Sequence, residues 1–181
     1  MILENIKIYP QNICKNNFII HTILKMHLSF DIIFIQEPSW SFIHSILSSS
    51  NCKGEDLVEV PNHPNWTMFT KNSAQAYNSP RIITYINICI SSLCFSLWNN
   101  IFNYRDISCV SFFNRGSIFY LINVYSDSSQ LALKYLKNTE VDLNNVLIMM
   151  RDFNIRNNFW DPNFPYHSSH RDTLFDIADS F

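Results

Sequence analysis

The apolar residues of this chain change period several times, and each change marks an element. Ile6 to Tyr9 predicts a short strand, with Pro10-Gln11-Asn12 as the loop behind it. Ile19, Ile20, Ile23, Leu24 and Leu28 then recur at helical spacing behind asparagines able to cap, which predicts a helix over Asn17 to Leu28. Asp31 to Ile35 is a continuous apolar run of strand length that ends in Gln36-Glu37-Pro38, so the chain opens as β-α-β. The middle is strand-rich: Leu57 to Val60, Trp66 to Thr70, Ile82 to Ile90, Leu93 to Leu97, Ile107 to Phe113 and Ser117 to Val124, with a hairpin turn at Asn114 to Gly116. A helix over Ser129 to Lys137 and a buried strand over Asn145 to Met150 follow. Leu174, Ile177, Ala178 and Phe181 predict a last helix, with Ser169 and Asp172 as its capping box.

Ile82 to Tyr104 holds no charged residue and is long enough to cross a bilayer. Asn87, Ser91, Ser92 and Ser96 interrupt it, and Ile86, Ile88 and Ile90 alternate with Asn87 and Cys89. Two strands joined by a turn at Ser91-Ser92 fit this pattern better than a membrane span. The N-terminus carries Glu4 and Lys7 and lacks the apolar core of a secretory signal, so an intracellular location, the nucleus included, is expected.

The chain has 181 residues, 47% of them hydrophobic and 15% charged, which suits one domain with a sizeable core and excludes disorder. A formal net charge of −2 offers no general attraction to a polyanion, so any contact with nucleic acid must be local. Glycine occurs only twice, at Gly54 and Gly116, which excludes Gly-rich phosphate loops and a G-x-S-x-G nucleophile elbow. Cys14, Cys52, Cys89, Cys94 and Cys109 form no C-x-x-C and read as buried free thiols.

Asn12 follows the first strand, Glu37 ends the second, and Asp152 and Asn154 follow the last. A strand holds a polar residue at its carboxyl end rigidly beside a dry core, which is how a site is built. Each residue alone also fits a local turn or a solvated loop. Together they are hard oxygen donors, which suit Mg²⁺ or Mn²⁺ rather than zinc, and that metal with carboxylates points to phosphate chemistry. Asp152 to Asn157 starts like an EF-hand loop but has Asn where the tight turn needs Gly, and His167 and His170 lack further zinc ligands. The four tryptophans, Trp40, Trp66, Trp98 and Trp160, read as core or rim aromatics.

In order, Tyr9-Pro10-Gln11-Asn12, Ile33 to Pro38, Val60 to Trp66, Pro80-Arg81, Tyr85-Ile86-Asn87, Asn123-Val124-Tyr125-Ser126, Arg151-Asp152-Phe153-Asn154 and Trp160-Asp161-Pro162 span almost the whole chain. This series resembles the endonuclease/exonuclease/phosphatase superfamily, and within it the apurinic-type endonuclease domain of fungal non-LTR retrotransposons. The resemblance implies an α/β (α+β) fold, a four-layer sandwich of two packed mixed sheets flanked by helices. It implies DNA as substrate, a downstream reverse transcriptase in the parent element, and Mg²⁺ or Mn²⁺ as cofactor. It further implies that Glu37 binds the cation with Asn12 at the metal and phosphate pocket. Tyr125 would contact the scissile phosphate or the nucleophile, Asp152 would orient or deprotonate the attacking water, and Asn154 would hold a phosphate oxygen.

Two departures from that family lower the expected turnover. Arg151 stands where the family motif has Gly, and the late Ser-Asp-His segment has no counterpart, so a domain lacking its C-terminal strands, with an exposed edge, is expected. The alternatives are a catalytically inactive remnant that at most binds nucleic acid, and a phosphoesterase of the same fold acting on another substrate.

Overall fold

The computed structural model of the chain describes residues 6–39, 44–47, 55–58, 61–70, 80–93, 95–97, 101–114, 116–139 and 146–152. The strands are β1 (Ile8–Asn12), β2 (Ile32–Gln36), β3 (His44–Leu47), β4 (Glu55–Val58), β5 (Trp66–Phe69), β6 (Ile82–Asn87), β7 (Ser96–Leu97), β8 (Ile107–Asn114), β9 (Ser117–Tyr125) and β10 (Val146–Asp152). The helices are α1 (Asn17–Leu24) and α2 (Leu131–Asn138), with a 3-10 turn at Ile88–Leu93. Two four-stranded sheets result, ordered β1-β2-β6-β5 and β10-β9-β8-β7, beside a separate β3-β4 pair. Each large sheet is mixed: β1 pairs parallel to β2 and β10 parallel to β9, and the remaining neighbours are antiparallel.

Period-two alternation divides the buried side chains among three cores. Ile33, Ile35, Ile83 and Tyr85 leave one face of the first sheet to meet Ile20, Ile23 and Leu24 of α1. Ile32, Phe34 and Ile86 leave the other face to meet Val110, Phe112 and Leu121 of the second sheet. The far face of that sheet sends Ile107, Cys109, Ile122 and Val124 against Ala132, Leu133 and Leu136 of α2. Helix, sheet, sheet and helix are the four layers expected from the sequence. The core between the sheets turns polar toward one end, where Gln36, Thr84 and Asn123 are fully buried. Gln36 Nε2 donates to Asn123 Oδ1 at 3.0 Å, and Asn123 Nδ2 donates to the carbonyl of Ile83 at 3.1 Å. That network ties the two sheets together and satisfies polar groups that would otherwise be costly to bury.

Several boundaries differ from expectation, each for a physical reason. Pro10 to Asn12 belong to β1, not to a loop; β1 is an edge strand among the described residues, and there a residue without an N–H is tolerated. Helix α1 starts as expected, with Asn16 Oδ1 capping the Phe18 N–H at 3.2 Å, but ends at Leu24 rather than Leu28. The Leu24 carbonyl, which a longer helix would use, accepts the Trp66 indole N–H at 2.8 Å. The expected hairpin at Ser91-Ser92 is absent. Asn87 stops β6 by accepting the Cys89 N–H at 3.0 Å, and the 3-10 turn carries the chain across to β7 in the other sheet. The β8–β9 hairpin is as expected, with Gly116 at φ +88° beside the closing Asn114–Ser117 pair. Of the described cysteines Cys109 is buried, whereas Cys14 and Cys89 are exposed, which corrects the expectation that these thiols are buried. Trp66 is a core residue. Asn154, the other tryptophans, His167, His170, Cys52, Cys94 and the last predicted helix lie outside the described residues. No helix among the described residues is long and apolar enough to cross a membrane.

Candidate active site

Parallel pairing sends β1 and β2 out of their sheet at the same end, with Asn12 beside Gln36. Asn12 Oδ1 accepts the Cys14 N–H at 2.8 Å, so its side chain shapes the turn that leaves the strand. Glu37 follows immediately after β2 with φ +52°, a left-handed conformation that a residue with a Cβ adopts only when its surroundings impose it. The surroundings here are two main-chain hydrogen bonds. The Glu37 N–H donates to the Arg81 carbonyl at 2.8 Å, and the Glu37 carbonyl accepts from Lys15 N–H at 2.8 Å.

The second sheet contributes from its own parallel pair. Tyr125 ends β9 and is 4% exposed, and its N–H donates to the Asp106 carbonyl at 2.9 Å. Its hydroxyl donates to Glu37 Oε1, joining the ends of the two sheets. Asp152 ends β10 in register with Tyr125, and Arg151 is in register with Val124. The carboxyl ends of β1, β2, β9 and β10 therefore carry Asn12, Glu37, Tyr125 and Asp152.

Charge around Tyr125 is tightly paired. Arg81 donates from Nε to Asp106 Oδ1 at 2.7 Å, from Nη2 to Asp106 Oδ2, and from Nη1 to Asp127 Oδ2 at 2.9 Å. Its guanidinium carbon lies 4.6 Å from the centre of the Tyr125 ring. Arg105 adds a second cation, its Nε 3.6 Å from Asp106 Oδ2. Burial, then the hydrogen bond to the Glu37 carboxylate and its charge, hold the Tyr125 phenol well above the ordinary tyrosine range. Burial alone would lower Arg81, but the Asp106 and Asp127 carboxylates outweigh it and raise the guanidinium above its usual value. Asp127 is held below its usual value: burial opposes this, but hydrogen bonds from Ser129 and Arg81 prevail.

The oxygen donors at these strand ends are of the kind a hard divalent cation takes. Glu37 Oε2 accepts no hydrogen bond from a described residue, and the Asn12 amide oxygen at the neighbouring strand end accepts the Cys14 N–H. No group of three or more His, Cys, Asp or Glu side chains gathers among the described residues. A cation held here by the Glu37 carboxylate and the Asn12 amide oxygen would keep most of its waters, as Mg²⁺ commonly does.

The same architecture occurs in a known nuclease. The chain superposes on the endonuclease domain of TRAS1, a telomere-specific non-LTR retrotransposon, with a TM-score of 0.65 over 97% of this chain and 70% of that one. This chain has the fold of a retrotransposon endonuclease domain. The two sequences are 13% identical. No protein-family model and no curated protein matches the sequence. The two packed sheets with a helix on each outer face agree with the fold that the resemblance implies. Asp106 and Asp127 carry no signal in the strand pattern. The one cue to them is that Arg81 and Arg105-Asp106 bracket the uncharged stretch from Ile82 to Tyr104, so charges separated in sequence have reason to meet.

Proposed function

We propose that the chain is a divalent-metal-dependent endonuclease domain that hydrolyses DNA phosphodiester bonds. The observation that carries this reading is the hydrogen bond from Tyr125 to Glu37, which brings together strand ends from both sheets in a nuclease fold. Glu37 and Asn12 would hold Mg²⁺ or Mn²⁺. When bound, that cation supplies positive charge against the phosphate oxygens. Tyr125, kept protonated, serves as a hydrogen-bond donor and not as a base. Asp152, beside it in the sheet, orients or deprotonates the attacking water, and Asn154 holds a phosphate oxygen.

Arg151 precedes Asp152 at the end of β10, where the related motif has Gly, and it sets a cationic residue next in sequence to the one that handles water. Turnover is accordingly weak. The test is nicking of supercoiled plasmid by the purified chain with and without Mg²⁺. Slow, Mg²⁺-dependent nicking that rises in Arg151→Gly supports the reading, and nicking indifferent to Mg²⁺ refutes it.

A further inference from the structure

Arg81 touches both halves of the Tyr125–Glu37 contact. Its carbonyl accepts the N–H of Glu37 at 2.8 Å, and its guanidinium lies over Tyr125 with Cζ 4.6 Å from the ring centre. Asp106 does the complementary work: its carboxylate accepts two hydrogen bonds from one edge of the guanidinium, while its own carbonyl accepts the Tyr125 N–H at 2.9 Å. Glu37, Arg81, Asp106 and Tyr125 thus form a closed ring of contacts, half through main chain and half through side chains. Asp106 is 1% exposed, so the ring is anchored in the protein interior rather than on its surface.

Resting on the function proposed above, we propose that Arg81 is a positioning residue, which fixes the Tyr125 ring so that its hydroxyl aims the Glu37 carboxylate at the cation. The chemistry calls for arginine. A guanidinium offers a planar fork for the Asp106 carboxylate, a further N–H for Asp127 and a flat cationic face for the phenol ring. A lysine supplies one point charge and cannot meet all three demands. Nor is Arg81 placed to bind a substrate phosphate, because Asp106 and Asp127 neutralise it and Tyr125 covers its face. Groups that orient a metal ligand from behind commonly change metal affinity when altered, although they never touch the metal.

The test uses Arg81→Lys and the double variant Arg81→Gln/Asp106→Asn, which removes both charges together so that no buried carboxylate is left alone. Two readouts are needed, both without substrate: the NMR resonance of Tyr125 in protein carrying ring-labelled tyrosine, assigned with Tyr125→Phe, and Mn²⁺ affinity by calorimetry. The expected result is a folded variant whose Tyr125 resonance moves and whose Mn²⁺ affinity falls about tenfold or more. A folded variant with both unchanged overturns the proposal, and so does a moved resonance with unchanged affinity. If the double variant does not fold, the charge-conserving Arg81→Lys decides. Absence of Mn²⁺ binding by the unaltered chain refutes the nuclease reading and with it the role of Arg81 at a cation. The Tyr125 resonance then still shows whether Arg81 fixes the ring, so the two failures are told apart.

Discussion

The hydroxyl of Tyr125 donates to the carboxylate of Glu37 across 88 residues of sequence and from one sheet to the other. It is a charge-assisted bond at a partly buried position, the class whose loss is felt most. Tyr125→Phe keeps the ring under Arg81 and removes only this bond. Urea unfolding should show a loss of about 1 to 3 kcal/mol. A loss within error of zero means that the contact does not hold the sheet ends together.

Gln36 and Asn123 make the deeper link between the sheets, and their value lies in being matched. Asn123→Leu strands the Gln36 amide in the core, at a cost of about 1 to 3 kcal/mol. Gln36→Leu in the same chain removes that stranded group. The double variant should therefore be less destabilised than the sum of the singles in a denaturant double-mutant cycle. Strict additivity contradicts the pairing.

These residues also mark what a sequence can and cannot reveal. Glu37 and Tyr125 stand at or just past the ends of apolar runs, which the hydrophobic pattern makes visible, whereas Pro10 and Gln11 break the pattern before Asn12, so the end of β1 reads as a loop. Gln36 and Asn123 sit at inward positions, yet alternation alone reads a polar residue in a strand as facing water. The Arg81–Asp106–Asp127 cluster depends on β6 and β9 entering different sheets that pack face to face, and no local pattern encodes that. The short α1 has the same cause: Trp66, 42 residues away, takes the carbonyl that would have continued the helix.

Asp127 makes stability depend on acid. Its folded pKa lies below its unfolded value, so its contribution is complete above the unfolded pKa, about 4, and is lost as pH falls through the folded value. Asp127→Asn should lose less stability than the unaltered chain between about pH 5 and the acid limit of folding. Since Asp127 is partly exposed, solvent screening keeps the difference small. Unfolding midpoints measured across that range check it, and identical slopes for the two proteins count against the ion pair with Arg81.

Tyr85 sets the alkaline side. It is fully buried with its hydroxyl donating to the Pro61 carbonyl at 2.7 Å, and burial raises its pKa above the ordinary tyrosine value. A raised value gives stability that is present below the unfolded pKa, about 10, and is lost as pH rises through the folded value. Tyr85→Phe should flatten that alkaline loss. Phenolate absorbance should reach its full amplitude only as the unaltered chain unfolds, and full titration in a still-folded chain contradicts the burial of this hydroxyl.

Glu37 as the metal carboxylate of a DNA-cutting site is tested most directly by Glu37→Gln, which keeps the shape of the side chain and removes its charge. The measurement is Mg²⁺-dependent nicking of supercoiled plasmid, made in the unaltered chain and in Arg151→Gly, where the signal should be larger. Glu37→Gln should lower nicking to the background without enzyme in both chains while the fold, followed by circular dichroism, is kept. Nicking that survives Glu37→Gln at the original rate contradicts the assignment of Glu37 to the metal.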